Sequence, residues 1–321
     1  MSVEGAALAL SRQELAHIVP GSPYDFVRRL DADGDKTLFI DYLTQPLTAA
    51  DDLRFLHRGS GSAEVAVFAR KLRWDSEFFG YSVAKLDGIF PLQPARATSS
   101  DYDAATAALL DRAAAHDVTY LFAAVDARDV ATFRTLSEAG FGLIETRLYY
   151  HRALEDYAHE RRYAVRPGTV ADLEALSATA RDMVNPYDRF HADPFISKVD
   201  ADRLMSKWVE ASILEGFADI TFVPDVTQQP RAFCTVRYHK AKWDRWRLRL
   251  SQPVFSAVGT EFKGWYKKLI SEICYHLKEL GAQHAYMATQ ATNSAVVWTW
   301  ESLGYRYGKS EHILRKIIKR T

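Results

Sequence analysis

The stretch RFHADP (189–194) puts a guanidinium, an imidazole and a carboxylate within one short segment, and a second imidazole, His239, stands in the basic run RYHKAKWDRWRLRL (237–250). His191, Asp193 and His239 are the side chains this sequence offers as proton acceptors, because imidazoles and carboxylates serve as general bases when their surroundings tune them. Asp193 precedes Pro194, so a turn-organising role competes with the chemical one. Arg189 can clamp a phosphate or a carboxylate through paired N–H donors, with a surface ion pair as the plain alternative. Further on, AVGTEFKGWYKKLI (257–270) sets Gly264 among Lys263, Lys267 and Lys268. A glycine allows close approach of the backbone, and the lysines favour an anion; an ordinary helix start with a lysine cluster would read the same way. In ATQATNSAVVWTWESLGY (288–305), a polar turn with Asn293 leads through a helix-length segment to Gly304 and Tyr305, and asparagine is a good helix N-cap by type.

These residues sit in a chain of 321 residues with 41 basic and 41 acidic side chains, a balance that implies no polyanionic partner. Residues 237–250 do interleave cations with aromatics, but one such run in a neutral protein is weak support for nucleic-acid binding. A charged sheet face is expected instead, with alternation from Arg245 reading as a half-buried strand. The length favours two cores. The composition, 48% apolar and 26% charged, is that of a globular protein. Cys234 and Cys274 are too few and too scattered for a disulfide framework or a zinc or redox motif, so no metal is expected and a reducing compartment fits. MSVEGAALALSRQEL carries Glu4 where an export signal needs positive charge, and no run of eighteen apolar residues occurs. The expected location is therefore the cytoplasm, with no membrane partner.

The elements that must position the site repeat. Placing Gly140-Phe141 over Gly304-Tyr305 sets an offset of 164, and YLFAAVDARDVATFRTLSEAGF (120–141) then lies over HAYMATQATNSAVVWTWESLGY (284–305) without a gap, Asp129 over Asn293. Upstream, AATAALLDRAAAHD (104–117) overlies residues 267–281, and downstream ETRLYYHR (145–152) overlies KSEHILRK (309–316). Each half thus reads helix, buried strand, turn, helix, Gly-aromatic, strand, which implies an α/β fold with a mixed sheet. Tyr266, Leu269, Ile270, Ile273, Leu277 and Leu280 recur at helical spacing, and Gly281 supplies the stop. RRYAVRPGTVADLEALSATARD (161–182) reads as strand, turn and a helix opened by Thr169 with Asp172 three residues on, a capping box with Asp for Glu. The charged LEDYAHERR (154–162) is the expected linker, residues 61–153 and 163–321 the two domains, and residues 1–60 an N-terminal extension without a partner in the repeat.

Strand, Asn, a helix with an aromatic seven residues on, then Gly-aromatic resembles the last third of a GNAT-superfamily acyltransferase. WDSEFFGYSVAKL (74–86), RFHADP, KWVEA (207–211) and ATQ-x-x-Asn-x-Ala (288–295) resemble, in the same order, blocks of the TDP-fucosamine acetyltransferase-like amino-sugar acetyltransferases, with coverage from about residue 65 to the end. The resemblance implies tandem GNAT-like domains, the N-terminal one degenerate and the C-terminal one complete. It also implies acetyl-CoA as donor substrate and a small-molecule amine, an amino sugar or nucleotide-linked amino sugar, as acceptor; a homodimer is one option for the assembly.

Carried over by position, the resemblance implies that backbone groups of Ser256, Ala257 and Val258 hold the pantetheine arm and that Asn293 fixes it further along. The coenzyme pyrophosphate would lie on Lys263, Gly264, Trp265, Tyr266 and Lys267, with Arg189 and His239 as acceptor contacts. Only the middle glycine of the family's Gly-rich turn is kept, and Glu261 would oppose a phosphate there. In the first half the counterpart of Gly264 is Ser100, followed by Asp101 and Asp103, which would repel phosphate. The family's acidic tyrosine falls on Trp300, whose indole N–H is a donor and not a usable acid. A general acid contributes roughly 10²–10⁴ in rate, so the expected N-acetyltransferase activity is lowered. Tyr305 and Tyr307 are the substitutes in reach, although Tyr305 also fits the core slot after Gly304. Two alternatives follow: a binding module with the fold but without turnover, and an acyltransferase whose donor channel is reshaped by Trp265, Tyr266, Trp298 and Trp300 for another acyl chain.

Overall fold

The computed structural model describes residues 10–58, 63–159 and 161–318; the first nine residues, weighed above as an export signal, and residues 59–62, around the expected boundary at 60, lie outside the described residues. Along the chain run α1 (Arg12–Ile18), α2 (Ala32–Thr44), β1 (Phe55–His57), β2 (Val65–Lys71), α3 (Arg73–Phe79), β3 (Val83–Pro91), α4 (Ser99–Ala115), β4 (Tyr120–Asp126), α5 (Val130–Glu138) and β5 (Gly142–Ala153). There follow β6 (Val165–Pro167), α6 (Leu173–Asp182), α7 (Lys198–Leu214), β7 (Ile220–Pro224), β8 (Ala232–Arg237), α8 (Trp243–Trp246), β9 (Leu250–Val258), α9 (Trp265–Glu279), β10 (His284–Gln290), α10 (Ser294–Ser302) and β11 (Arg306–Ile317). None of the described helices is long and apolar enough to cross a membrane.

The chain forms two compact units: one from the described residues up to Asp25 with Ala32–Thr146 and the chain from Ser310 onward, the other from Phe26–Asp31 with Arg147–Lys309. In the first unit β1, β2 and β3 pair antiparallel, β3 pairs parallel with β4, and the far part of β11 pairs antiparallel with β4. In the second, β6, β7, β8 and β9 pair antiparallel, β9 pairs parallel with β10, and β5 pairs antiparallel with β10. The last strand of each unit is therefore contributed by the other half of the sequence. For that reason the units divide at 146/147 and 309/310, not at the charged 154–162 segment: β5 runs unbroken past the first division.

Over the matched stretch the repeat holds in the backbone. Shifting β4, α5 and β5 by the offset of 164 reproduces the bounds of β10, α10 and β11 residue for residue. Gly140 and Gly304 take φ of +83° and +80°, the left-handed turn that ends a helix and that side chains with a Cβ adopt at a cost. A bulge also recurs, since β3 carries one extra residue opposite Phe68–Ala69 and β9 one opposite Cys234–Val236.

Residues 10–25 and 32–58 have no sequence match in the repeat, yet they belong to the first unit. Leu15, Ile18, Val19, Ile40 and Leu43 of α1, α2 and the turn between them pack on Ala66, Phe68 and Phe90, and β1 extends the sheet. They occupy the chain positions that α6, α7 and β7 hold in the second unit. The other sheet face of each unit is closed by its own core: Ala105, Leu109 and Ala113 of α4 over β2–β4, and Leu269, Ile270, Ile273 and Leu277 of α9 over β8–β10. The expected apolar face of α9 is thus the buried one, each such side chain adding ~1.5–3 kcal/mol.

The segment from Arg245 departs from the expected alternating strand. Lys240–Lys242 form a 3-10 turn, α8 follows, Arg247 is left-handed (φ +46°), and the strand starts only at Leu250. Burial of the Trp246 ring at 0% exposure anchors the turn that breaks the extended run.

At the second unit's entry the capping box forms as expected. The Asp172 carboxylate accepts from Thr169 N (2.9 Å) and Thr169 Oγ1 (3.1 Å) and is gripped by two guanidinium nitrogens of Arg166, each at 2.8 Å. The Arg166 hydrogen bonds hold its pKa down at about 2, against an ordinary value near 3.8. A carboxyl depressed in this way stabilises the fold fully above the unfolded value, and the contribution fades as pH falls through about 2. Asp172→Asn is expected to cost ~2 kcal/mol at pH 7, and the gap from wild type should close between pH 4 and 2 in urea unfolding.

Candidate active site

The site begins with a strand that cannot stay paired. β9 reads LSQPVFSAV; Pro253 lacks an N–H, and the extra residue beside it forms a bulge where Phe255 N donates to Thr235 Oγ1 (3.1 Å) instead of the ladder. Beyond the bulge β9 remains paired with β8 as far as Val258, and β10 remains paired with β5 over its length. Between them, however, the parallel ladder holds only His284↔Leu250 and Ala285↔Ser251. Past Ser251 and Ala285 the two strands no longer pair with each other, while Ser256, Ala257 and Val258 keep their register with β8 and Met287 keeps its own with β5. In the first unit the same ladder runs longer, from Val83↔Tyr120 to Leu86↔Ala123, and its extra residue, Asp87, is tied to Arg70 (2.7 Å), Lys85 (3.0 Å) and Tyr42 (2.9 Å).

A polar group sits where the second ladder ends. Tyr286 OH donates to Gln252 Oε1 (2.6 Å), and His239 Nε2 lies 3.1 Å from the same oxygen and 3.3 Å from the phenol. His239, named above as a candidate base and acceptor contact, occupies a left-handed turn with φ +58°. Burial pushes its pKa down to about 4, so it is neutral at pH 7.

Helix α9 begins next to the end of β9. Gly264 is its N-cap at φ +88° and ψ −9°; no side chain caps the helix, and a Cβ at 264 would meet nothing within 4 Å. The first-turn N–H groups of Trp265, Tyr266 and Lys267 therefore face an open approach with a positive helix end behind them. Lys263 is exposed beside them, Lys267 Nζ lies 5.7 Å from the Trp298 ring centroid, and Lys268 Nζ lies 4.6 Å from that of Trp265. Glu261, expected to oppose a phosphate, is instead paired with Arg231 at 3.2 Å, which offsets its charge. The first unit differs at the equivalent helix start: Asp101, in the first turn of α4, accepts from Thr98 N (2.8 Å) and Oγ1 (2.7 Å) in a capping box, which places a carboxylate there.

Asn293 precedes α10 with φ −87° and ψ 65°, nearly the geometry of Asp129 in the first unit (−85°, 68°). Asp129 caps its helix through Thr132 N at 3.1 Å; Asn293 does not, and turns its amide nitrogen to Thr289 Oγ1 (3.2 Å). Seven residues on, Trp300 is 2% exposed and donates its Nε1–H to Tyr266 OH (2.7 Å).

The remaining expected residues fall elsewhere. Tyr305 lies in the core, 2% exposed with its phenol 3.3 Å from Cys274 Sγ, and burial drives its pKa well up. Tyr307 is 54% exposed. His191 is clamped on both ring nitrogens, by Asp188 (2.6 Å) and Asp202 (3.1 Å), which leaves no lone pair for a base. The Asp188 hydrogen bond raises its pKa, as befits a structural cation. Asp193, 1% exposed, accepts from Phe195 N (2.9 Å) and organises the turn around Pro194. Arg189 rests its guanidinium 4.6 Å from the Phe190 ring centroid. Ser256, Gly264, Tyr266 and Trp300 are thus brought together from β9, α9 and α10, whereas His191 and Asp193 brace the segment before α7. Gln252 and Tyr286 were not anticipated; a proline inside an apolar strand, QPVF, was the signal that marked the bulge beside them.

No protein-family model matches the chain, and no curated protein matches it. Among solved structures it is similar to a GCN5-related N-acetyltransferase from Sphaerobacter thermophilus, at 10% identity over 96% of this chain and 92% of that one, with a TM-score of 0.59. It is also similar to a functionally unknown conserved protein from Staphylococcus epidermidis, at 12% identity over 81% of this chain and 92% of that one, with a TM-score of 0.53. A third likeness is to the GCN5-related glucosamine N-acetyltransferase region of a fungal multi-domain beta-N-acetylglucosaminidase, at 12% identity, 79% of this chain, 31% of that one and a TM-score of 0.54. Identities this low speak to the fold. The chain has the fold of the GCN5-related N-acetyltransferases, and its internal repeat lays that fold down twice.

Proposed function

We propose that the chain is an N-acetyltransferase that uses its second unit to carry acetyl from acetyl-CoA to the amine of an amino sugar, free or nucleotide-linked. The observation that carries this reading is the parting of β9 from β10 beside an uncapped helix start at Gly264. Unpaired strand edges offer the hydrogen bonds that a pantetheine arm requires, and the helix end favours a diphosphate. An amino-sugar acceptor is supported by the ordered sequence blocks, by the likeness to a glucosamine N-acetyltransferase region, and by aromatic rings near the bulge. Trp208 lies 5.3 Å from Phe190, 5.8 Å from Phe255 and 6.5 Å from Phe217, a group against which the C–H face of a sugar ring can pack. Arg189, above Phe190, would pair with an acceptor phosphate.

A second reading, a binding module without turnover, is favoured by Trp300 at the position where the family's acid stands. Incubation with acetyl-CoA and a panel of free, TDP-linked and UDP-linked amino sugars separates the two. The proposal predicts thiol release matched by an acetylated product. Coenzyme binding in calorimetry with no product from any amine selects the module, and no binding at all rules out both.

A further inference from the structure

The absence of a tyrosine at 300 does not leave the second unit without a phenol near the split strands. Tyr266, on the first turn of α9, brings its hydroxyl within 2.7 Å of Trp300 Nε1, so the indole at the usual acid position points its N–H at a phenol from another helix. The Ser256 side chain lies close enough to the same phenol to favour its ionised form. Ser256 belongs to β9 beyond the end of the β9–β10 ladder, on the edge proposed to hold the donor. Trp300 itself is buried and its N–H cannot be given up, so its role toward the phenol is that of a fixed donor.

We infer that Tyr266 is the acid that protonates the departing sulfur, with Trp300 and Ser256 as the groups that hold and stabilise it. This deepens the acyltransferase reading and rests on it. The neutral acceptor amine attacks the thioester carbonyl carbon, and a C–N bond forms. When the tetrahedral adduct collapses, the C–S bond breaks, its electron pair goes to sulfur, and the Tyr266 O–H proton follows to give the free thiol. The phenolate left behind takes the proton released by the acylated nitrogen, directly or through water, and the products are the amide and the thiol. Trp300 N–H, donating to the phenolic oxygen, stabilises the transient phenolate, and the Ser256 hydroxyl favours the same ionised form. In this arrangement the tryptophan replaces the acid by presenting another one.

The test compares wild type, Tyr266→Phe, Trp300→Tyr and the double variant, with acetyl-CoA and the best acceptor found for the wild type. Tyr266→Phe should lower kcat about 100-fold or more while acetyl-CoA affinity by calorimetry stays within about threefold. The solvent deuterium isotope effect on wild-type kcat should disappear in Tyr266→Phe, a change that a packing role would not produce. Trp300→Tyr introduced into Tyr266→Phe should recover kcat by about tenfold, since it restores a phenol at the usual position. Wild-type kcat in Tyr266→Phe would overturn the inference while acetyl transfer still stood. So would a loss of kcat that comes with lost coenzyme binding or an unchanged isotope effect. No turnover by the wild type on any amine would remove both.

Discussion

Trp300→Ala should cost the second unit ~3–5 kcal/mol, while Trp298→Ala, two positions earlier on the same helix, should stay within ~0.5 kcal/mol. The contrast follows from which face of α10 each ring occupies. Trp300 is 2% exposed, lies 5.6 Å from the Tyr150 ring centroid, and supplies the one N–H that meets the Tyr266 phenol. Its removal opens a cavity in a core that includes Leu269, Ile273 and Met287, and it leaves a buried hydroxyl short of a donor. Trp298 is 66% exposed, with the Lys267 ammonium 5.7 Å from its ring centroid, so its loss exposes little that was dry. Urea unfolding followed by tryptophan fluorescence and circular dichroism measures both. Equal destabilisation by the two variants would mean that the indole at 300 is not the packed one.

Gly264→Asp should weaken coenzyme binding by about 100-fold or more, because a carboxylate at the helix start competes with a diphosphate for the same N–H groups, and the left-handed φ should cost it and Gly264→Asn a similar ~1 kcal/mol of stability. The position allows the experiment. Nothing lies within 4 Å of a new Cβ, and although φ is +88°, Asp and Asn are among the residues that tolerate the left-handed region best. Gly264→Asn has almost the same shape without the charge and should lose far less affinity, on the order of tenfold or below. Calorimetric titration with CoA reads the difference. Equal losses in the two variants would point to backbone strain and away from anion binding. The first unit carries a carboxylate close to the same place: Asp101, in the first turn of α4, accepts from the N-cap residue Thr98, which sets a negative charge where the second unit has none.

Much of the fold was legible because it was written twice. The gapless match of 120–141 with 284–305 fixed two strands and two helices whose bounds the structure reproduces, and Gly140 and Gly304 marked the same left-handed turn in both. Residues 1–60 were read as an N-terminal extension without a partner in the repeat because α1 and α2, with 7 and 13 residues, hold the chain positions of α6 and α7, with 10 and 17, without keeping their sequence. Apolar faces can be rebuilt from different residues so long as volume and period are kept. The exchange of last strands was invisible, since pairing between distant segments leaves no local pattern. At the candidate site, Gly264, Ser256 and Asn293 were named by position alone, and the Trp300 substitution was plain. What it did to Tyr266 was not, because a hydrogen bond between residues 34 positions apart depends on how α9 and α10 pack. His191 and Asp193 misled for a related reason: their chemistry suits a base, but their partners Asp188, Asp202 and Phe195 commit them to structure.

Hydrogen exchange read by mass spectrometry, with and without saturating CoA, tests the central claim most directly, namely that of two copies of one fold only the second holds an acyl carrier. Protection is expected in peptides covering Ser256–Val258 and the first turn of α9, with no change over the corresponding end of β3 and start of α4. Protection in the first unit, or none around Gly264, would contradict the account.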